Sequence, residues 1–190
     1  MKVVAFNGSP RKNGNTFLLL NMVLKEIAEE GIETKLIQLG NQPLRGCIDC
    51  TRCKEKLNQK CIFNDDKMNE YIQEMLNADG IIIGSPTYAA APTANTRALI
   101  ERAGFVAKMN QDMFKRKVGA AVVAVRRGGA TTVFSSINYF FLISQMIVPG
   151  SSYWNEGVGF APGDVEHDEE GKRTMANLGK NMAWLIKKIR

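Results

Sequence analysis

Four cysteines fall within fifteen residues, Cys47, Cys50, Cys53 and Cys61, and the chain has no others. Their spacing is C-x2-C-x2-C-x7-C. Three thiolates two residues apart can wrap one iron–sulfur cube, with a fourth arriving from a short loop; bacterial ferredoxins open with the same run. In those proteins proline usually follows the fourth cysteine, which serves a different cluster. Here Ile62 follows Cys61, so a self-contained site is a different arrangement. Two other chemistries use the same residues. Structural zinc also takes four thiolates, though usually from two separated C-x2-C pairs. Reduced thiols with no cofactor are ordinary in a cytosolic chain, where disulfides are rare. Arg45, Arg52, Lys54, Lys56 and Lys60 surround the thiols. They would offset a negative cluster and lower thiolate pKa values, or simply keep the loop solvated.

A second chemistry lies in Ser9-Pro-Arg-Lys-Asn-Gly-Asn-Thr16. This turn joins an apolar run, Val3–Phe6, to a helical pattern, so its backbone amides face outward at a helix N-terminus that favours an anion. Ser9, Asn15 and Thr16 add side-chain donors, Arg11 adds a charged planar fork, and Gly14 lets the backbone approach an oxygen closely. The three-glycine frame of a dinucleotide site is absent, as is the Gly-Lys-Ser/Thr ending of a triphosphate loop. What remains is a hydroxyl-rich cradle for one terminal phosphate, or an ordinary polar turn capping a helix.

The elements that would position these groups alternate five times. Val3–Phe6 reads as a strand buried on both faces. Thr16–Glu30 reads as a helix, with Leu20, Val23, Leu24 and Ile27 at helical spacing and Gly31 as its stop. Glu33–Leu39 alternates as a second strand. Gly40–Asn64 is a loop holding all four cysteines. Asp65 or Asp66 can cap a helix to about Leu76. Gly80–Gly84 is the third strand, Thr93–Ala103 a helix, and Val118–Val125 the fourth strand. Gly128 and Gly129 precede a helix through about Ser144, and a fifth strand lies within Ile147–Val158. A last helix starts near Asp168, with Met175, Leu178, Met182, Leu185 and Ile189 as its inner stripe. The pattern predicts an α/β fold: a doubly wound five-stranded parallel sheet with helices on both faces, plus a cysteine-bearing loop after strand 2. In such sheets ligands sit beyond the carboxyl ends of the strands, at the switch point.

The 190 residues, 45% hydrophobic and 23% charged, suit one domain over 1–190 with 40–64 as an inserted loop. The longest apolar-rich segment, 137–148, is interrupted by polar residues and shorter than a membrane span. The first apolar run ends too early for a secretory leader. A cytoplasmic protein with no membrane partner is expected. The net charge of +6 is scattered and lacks the dense, aromatic-interleaved footprint of a nucleic-acid binder. His167, the single histidine, is expected to cap or lie exposed, and no acid–base or Ser-His-Asp set is recognisable, so no catalytic side chain is assigned.

Asn7-Gly-Ser-Pro-Arg-Lys-Asn-Gly-Asn-Thr16 resembles the phosphate loop of the NADPH-dependent FMN reductase family, which has a flavodoxin-like fold. Gly84-Ser-Pro-Thr-Tyr88 resembles that family's second flavin loop, and Arg126-Arg-Gly-Gly129 its third. The likeness runs over nearly the whole chain. It implies FMN held by Ser9, Arg11, Gly14, Asn15 and Thr16 at the phosphate, by Pro86, Thr87 and Tyr88 along the ring, and by Arg127, Gly128 and Gly129. The cysteine loop resembles that of the iron–sulfur flavoproteins, a branch of the same family. That likeness implies one [4Fe–4S] cluster on Cys47, Cys50, Cys53 and Cys61, electron transfer through FMN and cluster, and a dimer or tetramer. A hydride donor needs no one-electron cluster, and the basic loop suits an acidic carrier such as ferredoxin, so such a carrier is expected as electron donor ahead of NAD(P)H. The alternatives are an NAD(P)H-dependent FMN or quinone reductase with incidental cysteines, and a non-enzymatic zinc- and FMN-binding protein.

Overall fold

Side-chain alternation along three central strands divides the interior into two layers. In the computed structural model, which describes residues 1–41 and 43–190, β1 (Lys2–Asn7), β3 (Gly80–Pro86) and β4 (Val118–Val125) are buried almost throughout. Val3, Ala5, Ile82, Ala120 and Val122 face one layer, with α1 (Asn15–Glu29) and α6 (Glu169–Ile189). Val4, Phe6, Ile81, Ile83, Ala121 and Val123 face the other, with α3 (Met68–Asn77), α4 (Ala94–Met109) and α5 (Ala130–Ile143). Helix and sheet approach closely: a Cβ on Gly84 would meet Leu20 at 2.8 Å, and one on Gly119 would meet Phe141 at 2.7 Å.

With β2 (Glu33–Gln38) and β5 (Glu156–Val158), the five strands are all parallel, in the order β2-β1-β3-β4-β5. This is the flavodoxin-like winding, with its switch point between β1 and β3. The loops at these strand ends are tied together. Gly8 N–H donates to the Gly84 carbonyl (2.8 Å), Thr93 Oγ1 donates to the Gly8 carbonyl (2.8 Å), and Thr87 N–H donates to the Ala124 carbonyl (2.9 Å). Thr93 also caps α4 by accepting from Thr96 N–H.

Some boundaries differ from expectation. α4 runs on to Met109, past Gly104, because Phe140 covers that glycine, 3.3 Å from where a Cβ would stand. The fifth strand is only three residues long; Ile147 makes an isolated bridge to Val118 instead of starting it. The cysteine loop contains a short helix, α2 (Arg52–Lys56). On α6 the buried stripe is Met175, Leu178, Met182 and Ile186, while Ile189, on the same face by helical period, is exposed as the last residue of the helix. Among the described residues no helix is long and apolar enough to cross a membrane.

Asp168 joins β5 to α6, accepting from Val158 N–H (2.7 Å) and Gly171 N–H (2.9 Å). Glu156 beside it has its carboxyl raised above 4.5, first by burial and then by the Asp168 charge. A raised folded-state pKa means that the folded chain holds this proton more tightly. Stability is therefore full below the unfolded value and falls as pH rises through the folded one. Glu156→Gln is expected to unfold at a higher temperature than wild type at pH 7, with the two converging below the ordinary value of 4.5. Thermal melts across pH check it; a variant less stable at pH 7 contradicts it.

Candidate functional site

Beyond the ends of β1, β3 and β4 lies a pocket of about 200 Å³. Ser9, Arg11, Asn15 and Thr16 line it from the first loop, and Pro86, Thr87 and Tyr88 from the third-strand loop. Ala124 and Val125 line it from β4, Arg126 from just after it, and Gly159 and Phe160 from the segment after β5. The first loop is held from below. Asn7 Oδ1 accepts from Ser9 N–H (3.1 Å), and Gln38 Nε2 donates to the Ser9 carbonyl (2.6 Å). Ser9 Oγ accepts from Arg11 N–H (3.1 Å), which leaves its own proton to donate. Gly14 precedes α1 with no side-chain cap, so the first-turn amides are left without a side-chain partner, and Asn15 and Thr16 of that turn line the pocket.

Two buried hydroxyls, Thr16 Oγ1 and Thr87 Oγ1, have no hydrogen-bond partner. Thr16 is 1% exposed. Unpaired buried hydroxyls are costly, and these two stand on different walls of one pocket. They fit a ligand that accepts hydrogen bonds from both sides. The third-strand loop is also strained: Tyr88 and Ala91 exchange backbone hydrogen bonds around Ala89 and Ala90, both left-handed with φ of 49° and 56°. Such strain is often kept at binding loops.

Gly14, Arg127, Gly128 and Gly129 are not among the lining residues. Both arginines after β4 are exposed, but Arg126 is the one that lines the pocket, its guanidinium 4.5 Å from the Phe160 ring centroid. Gly129 instead starts α5 with φ of 89°. Asn15 lines the pocket, but its side chain is committed elsewhere. Its Nδ2 donates to the Ala161 carbonyl and its Oδ1 accepts from Gly163 N–H, both at 2.9 Å. It therefore anchors the Phe160 segment. Phe160 and this anchoring carry no sequence signal, because the contacts span almost the whole chain.

The four cysteines line a second pocket, together with Phe63, Arg102 and Phe105. Its enclosed volume is about 20 Å³, little more than a water molecule. α4 is the rail on which the loop is mounted. Cys47 N–H donates to Glu101 Oε2 (3.4 Å), Arg102 donates to the Arg45 and Phe63 carbonyls (both 3.4 Å), and Asn110 Nδ2 donates to the Cys53 carbonyl (3.3 Å). Cys61 is pinned from α3: its N–H donates to Asn69 Oδ1 (2.8 Å) and its carbonyl accepts from Asn69 Nδ2 (3.0 Å). Among the described residues no three His, Cys, Asp or Glu side chains are grouped as ligands of one metal ion.

The expected lowering of thiol pKa by neighbouring cations does not hold at Cys53. Burial pushes that thiol up, and Cys61 and Cys47 add to the rise. Two of the cations are engaged otherwise: Arg45 lies 4.4 Å above the Phe63 ring and pairs with Asp65, and Arg52 pairs with Glu55. Asn69, Asn110 and Arg102 were not singled out in the sequence. Because Asn69 also donates to the Phe63 carbonyl (3.1 Å) and Asn64 Oδ1 (2.7 Å), Asn69→Ala is expected to cost about 1–3 kcal/mol. Faster hydrogen exchange confined to 61–64 would mark the loss; protection unchanged there would refute the pinning.

The NADPH-dependent FMN reductase family model matches residues 1–160. An iron-sulfur flavoprotein of Methanocaldococcus jannaschii is 43% identical over 202 residues, covering 100% of both chains. One from Methanosarcina thermophila is 31% identical over 191 residues, covering 100% of this chain and 97% of that one. Among solved structures, RosB with a bound flavin-derived intermediate matches with a TM-score of 0.75 at 16% identity, covering 100% of this chain and 80% of that one. An archaeal flavodoxin matches at 0.64 and 14% identity, covering 98% and 99%. This chain belongs to the NADPH-dependent FMN reductase family, as a flavin-dependent oxidoreductase with an FMN-linked redox function. Within that family it falls in the iron–sulfur flavoprotein branch.

Proposed function

We propose that this chain holds FMN in the strand-end pocket and one [4Fe–4S] cluster on Cys47, Cys50, Cys53 and Cys61, and moves electrons between a protein carrier and FMN. The observation that carries the reading is that all four cysteines line one pocket. When bound, FMN supplies one- and two-electron redox chemistry and the cluster supplies single-electron steps.

The chain's own residues bind and orient. Ser9, Thr16 and the α1 amides donate to the FMN phosphate, and Arg11 adds charge. Gly14 keeps that helix end open. Pro86, Thr87 and Tyr88 flank the ring, with Thr87 Oγ1 as a ring donor. Arg127, Gly128 and Gly129 form the turn that aims Arg126. Asn15 holds Phe160 in place as a wall. Cys53 and Cys61 are set by Asn110 and Asn69, whereas Cys47 is exposed and Cys50 partly so. The segment carrying those two is the accessible half of the ligand set. A cube bonds each thiolate to its own iron, so its ligands stand farther apart than those of a single ion.

Lys54, Lys56 and Lys60 are exposed and present a basic surface to an acidic carrier such as ferredoxin. Exposed Val158 and Phe160 at the pocket end of β5, with exposed Tyr153 and Trp154 at its other end, support a homo-oligomer, a dimer or tetramer. Four unpaired thiols suit a reducing, cytoplasmic setting.

Anaerobic purification with flavin, iron, acid-labile sulfide and zinc quantified together tests both sites. Stoichiometric zinc without sulfide overturns the cluster. Stopped-flow mixing with reduced ferredoxin and with NADPH then tests the donor. Rapid saturable reduction by NADPH, with no response to ferredoxin, moves the assignment to a hydride-using reductase.

A further inference from the structure

Arg102, on α4, is the largest fully buried side chain among the described residues, at 1% exposure. Its NH1 group pairs with the enclosed Asp66 carboxylate, and it also reaches the Arg45 and Phe63 carbonyls. Its Nε–H has no partner. A guanidinium carries five donors in a fixed fork, and one of them is left buried and unspent on a residue that lines the cysteine pocket. Burial works against its charge, but Asp66 and the Cys61 sulfur outweigh that and hold Arg102 above its ordinary pKa. Anchoring the loop accounts for Asp66 and the two carbonyls. It does not account for an unpaired donor on a residue that lines the cysteine pocket.

Resting on the cluster reading above, we infer that Arg102 is a positioning residue for the cluster: it orients Cys61 and, as a fixed buried cation, favours the reduced state. Uptake of one electron from a reduced carrier makes the cluster one unit more negative, with no bond broken and no proton required. A cation at the pocket wall stabilises the more negative state more. Asp66 moderates that effect from behind, because it pairs with Arg102 without lining the pocket. The two residues should therefore act in opposite directions.

The test compares anaerobically cluster-loaded full-length wild type with Arg102→Gln and Asp66→Asn, reading iron, sulfide, flavin and midpoint potential. The amide introduced by Asp66→Asn keeps an oxygen able to accept from Met68 N–H, as the Asp66 carboxylate does at 3.1 Å. Arg102→Gln is expected to shift the midpoint negative by at least about 59 mV, a tenfold change for one electron. Asp66→Asn is expected to shift it positive. If Arg102→Gln does not load, Arg102→Lys, which keeps the charge without the fork, must retain a wild-type potential with partial loss of iron. Shifts of the same sign, or no shift in loaded variants, overturn the role of Arg102 alone. A wild type that takes up no iron or sulfide overturns the cluster reading, and this inference with it.

Discussion

Cys53→Ser is expected to lose essentially all iron and acid-labile sulfide when isolated without oxygen, while its flavin content stays at the wild-type level. Cys53 is 7% exposed and lies on α2, with its carbonyl held by Asn110. No movement of the exposed 47–50 segment can replace a ligand set so deeply. Serine fills almost the same space but offers no thiolate, and only the thiolate binds iron. The fold is expected to survive, because the strand-end pocket shares no lining residue with the cysteine pocket. Cys61→Ser should behave likewise, since Asn69 fixes that backbone whatever the side chain. Iron and sulfide retained at wild-type stoichiometry in both variants would exclude these thiols as ligands. Flavin lost together with iron would show that the two pockets are not independent.

Thr16→Val should strengthen the empty protein and weaken its hold on FMN, two effects of opposite sign from one atom. Thr16 Oγ1 is buried and unpaired, so replacing it with a methyl group of similar shape removes a desolvation cost and is neutral or stabilising for the apoprotein. In the flavin-bound protein the same hydroxyl would donate to a phosphate oxygen. Hydrogen bonds to charged groups contribute about 1.5–3 kcal/mol, so FMN affinity should fall roughly ten- to hundredfold. Riboflavin lacks the phosphate and should bind the variant as it binds wild type. Titration of apoprotein with both flavins, beside thermal melts, separates the effects. Equal weakening for FMN and riboflavin would place the phosphate away from Thr16. Thr87→Val, on the opposite wall, should weaken both flavins alike if its hydroxyl meets the ring.

Local pattern carried the architecture of this chain. The continuous apolar runs at Val3–Phe6, Gly80–Gly84 and Val118–Val125 are what strands buried on both faces require. The turn chemistry between strand and helix put the Ser9–Thr16, Pro86–Tyr88 and Arg126–Gly129 loops at strand ends. Parallel right-handed connections then bring such ends to one edge. The cysteine spacing likewise lay within fifteen residues, so it was legible without the fold. Other features depended on partners far away in the chain. Asn15 reads as a phosphate donor from its neighbours and becomes an anchor only because Ala161 and Gly163 fold back onto it, 146 and 148 residues on. Arg126 rather than Arg127 faces the pocket because Phe160 lies there to receive it. Arg102 looks like a surface cation in a helical sequence. It is buried because the residues flanking the cysteines fold over this face of α4, where Asp66 can neutralise it. Spacing determines which residues are neighbours along an element, and hence which chemistry is available. Packing determines which side chains are desolvated and which donors are left without partners, and those are the groups left free to hold a ligand.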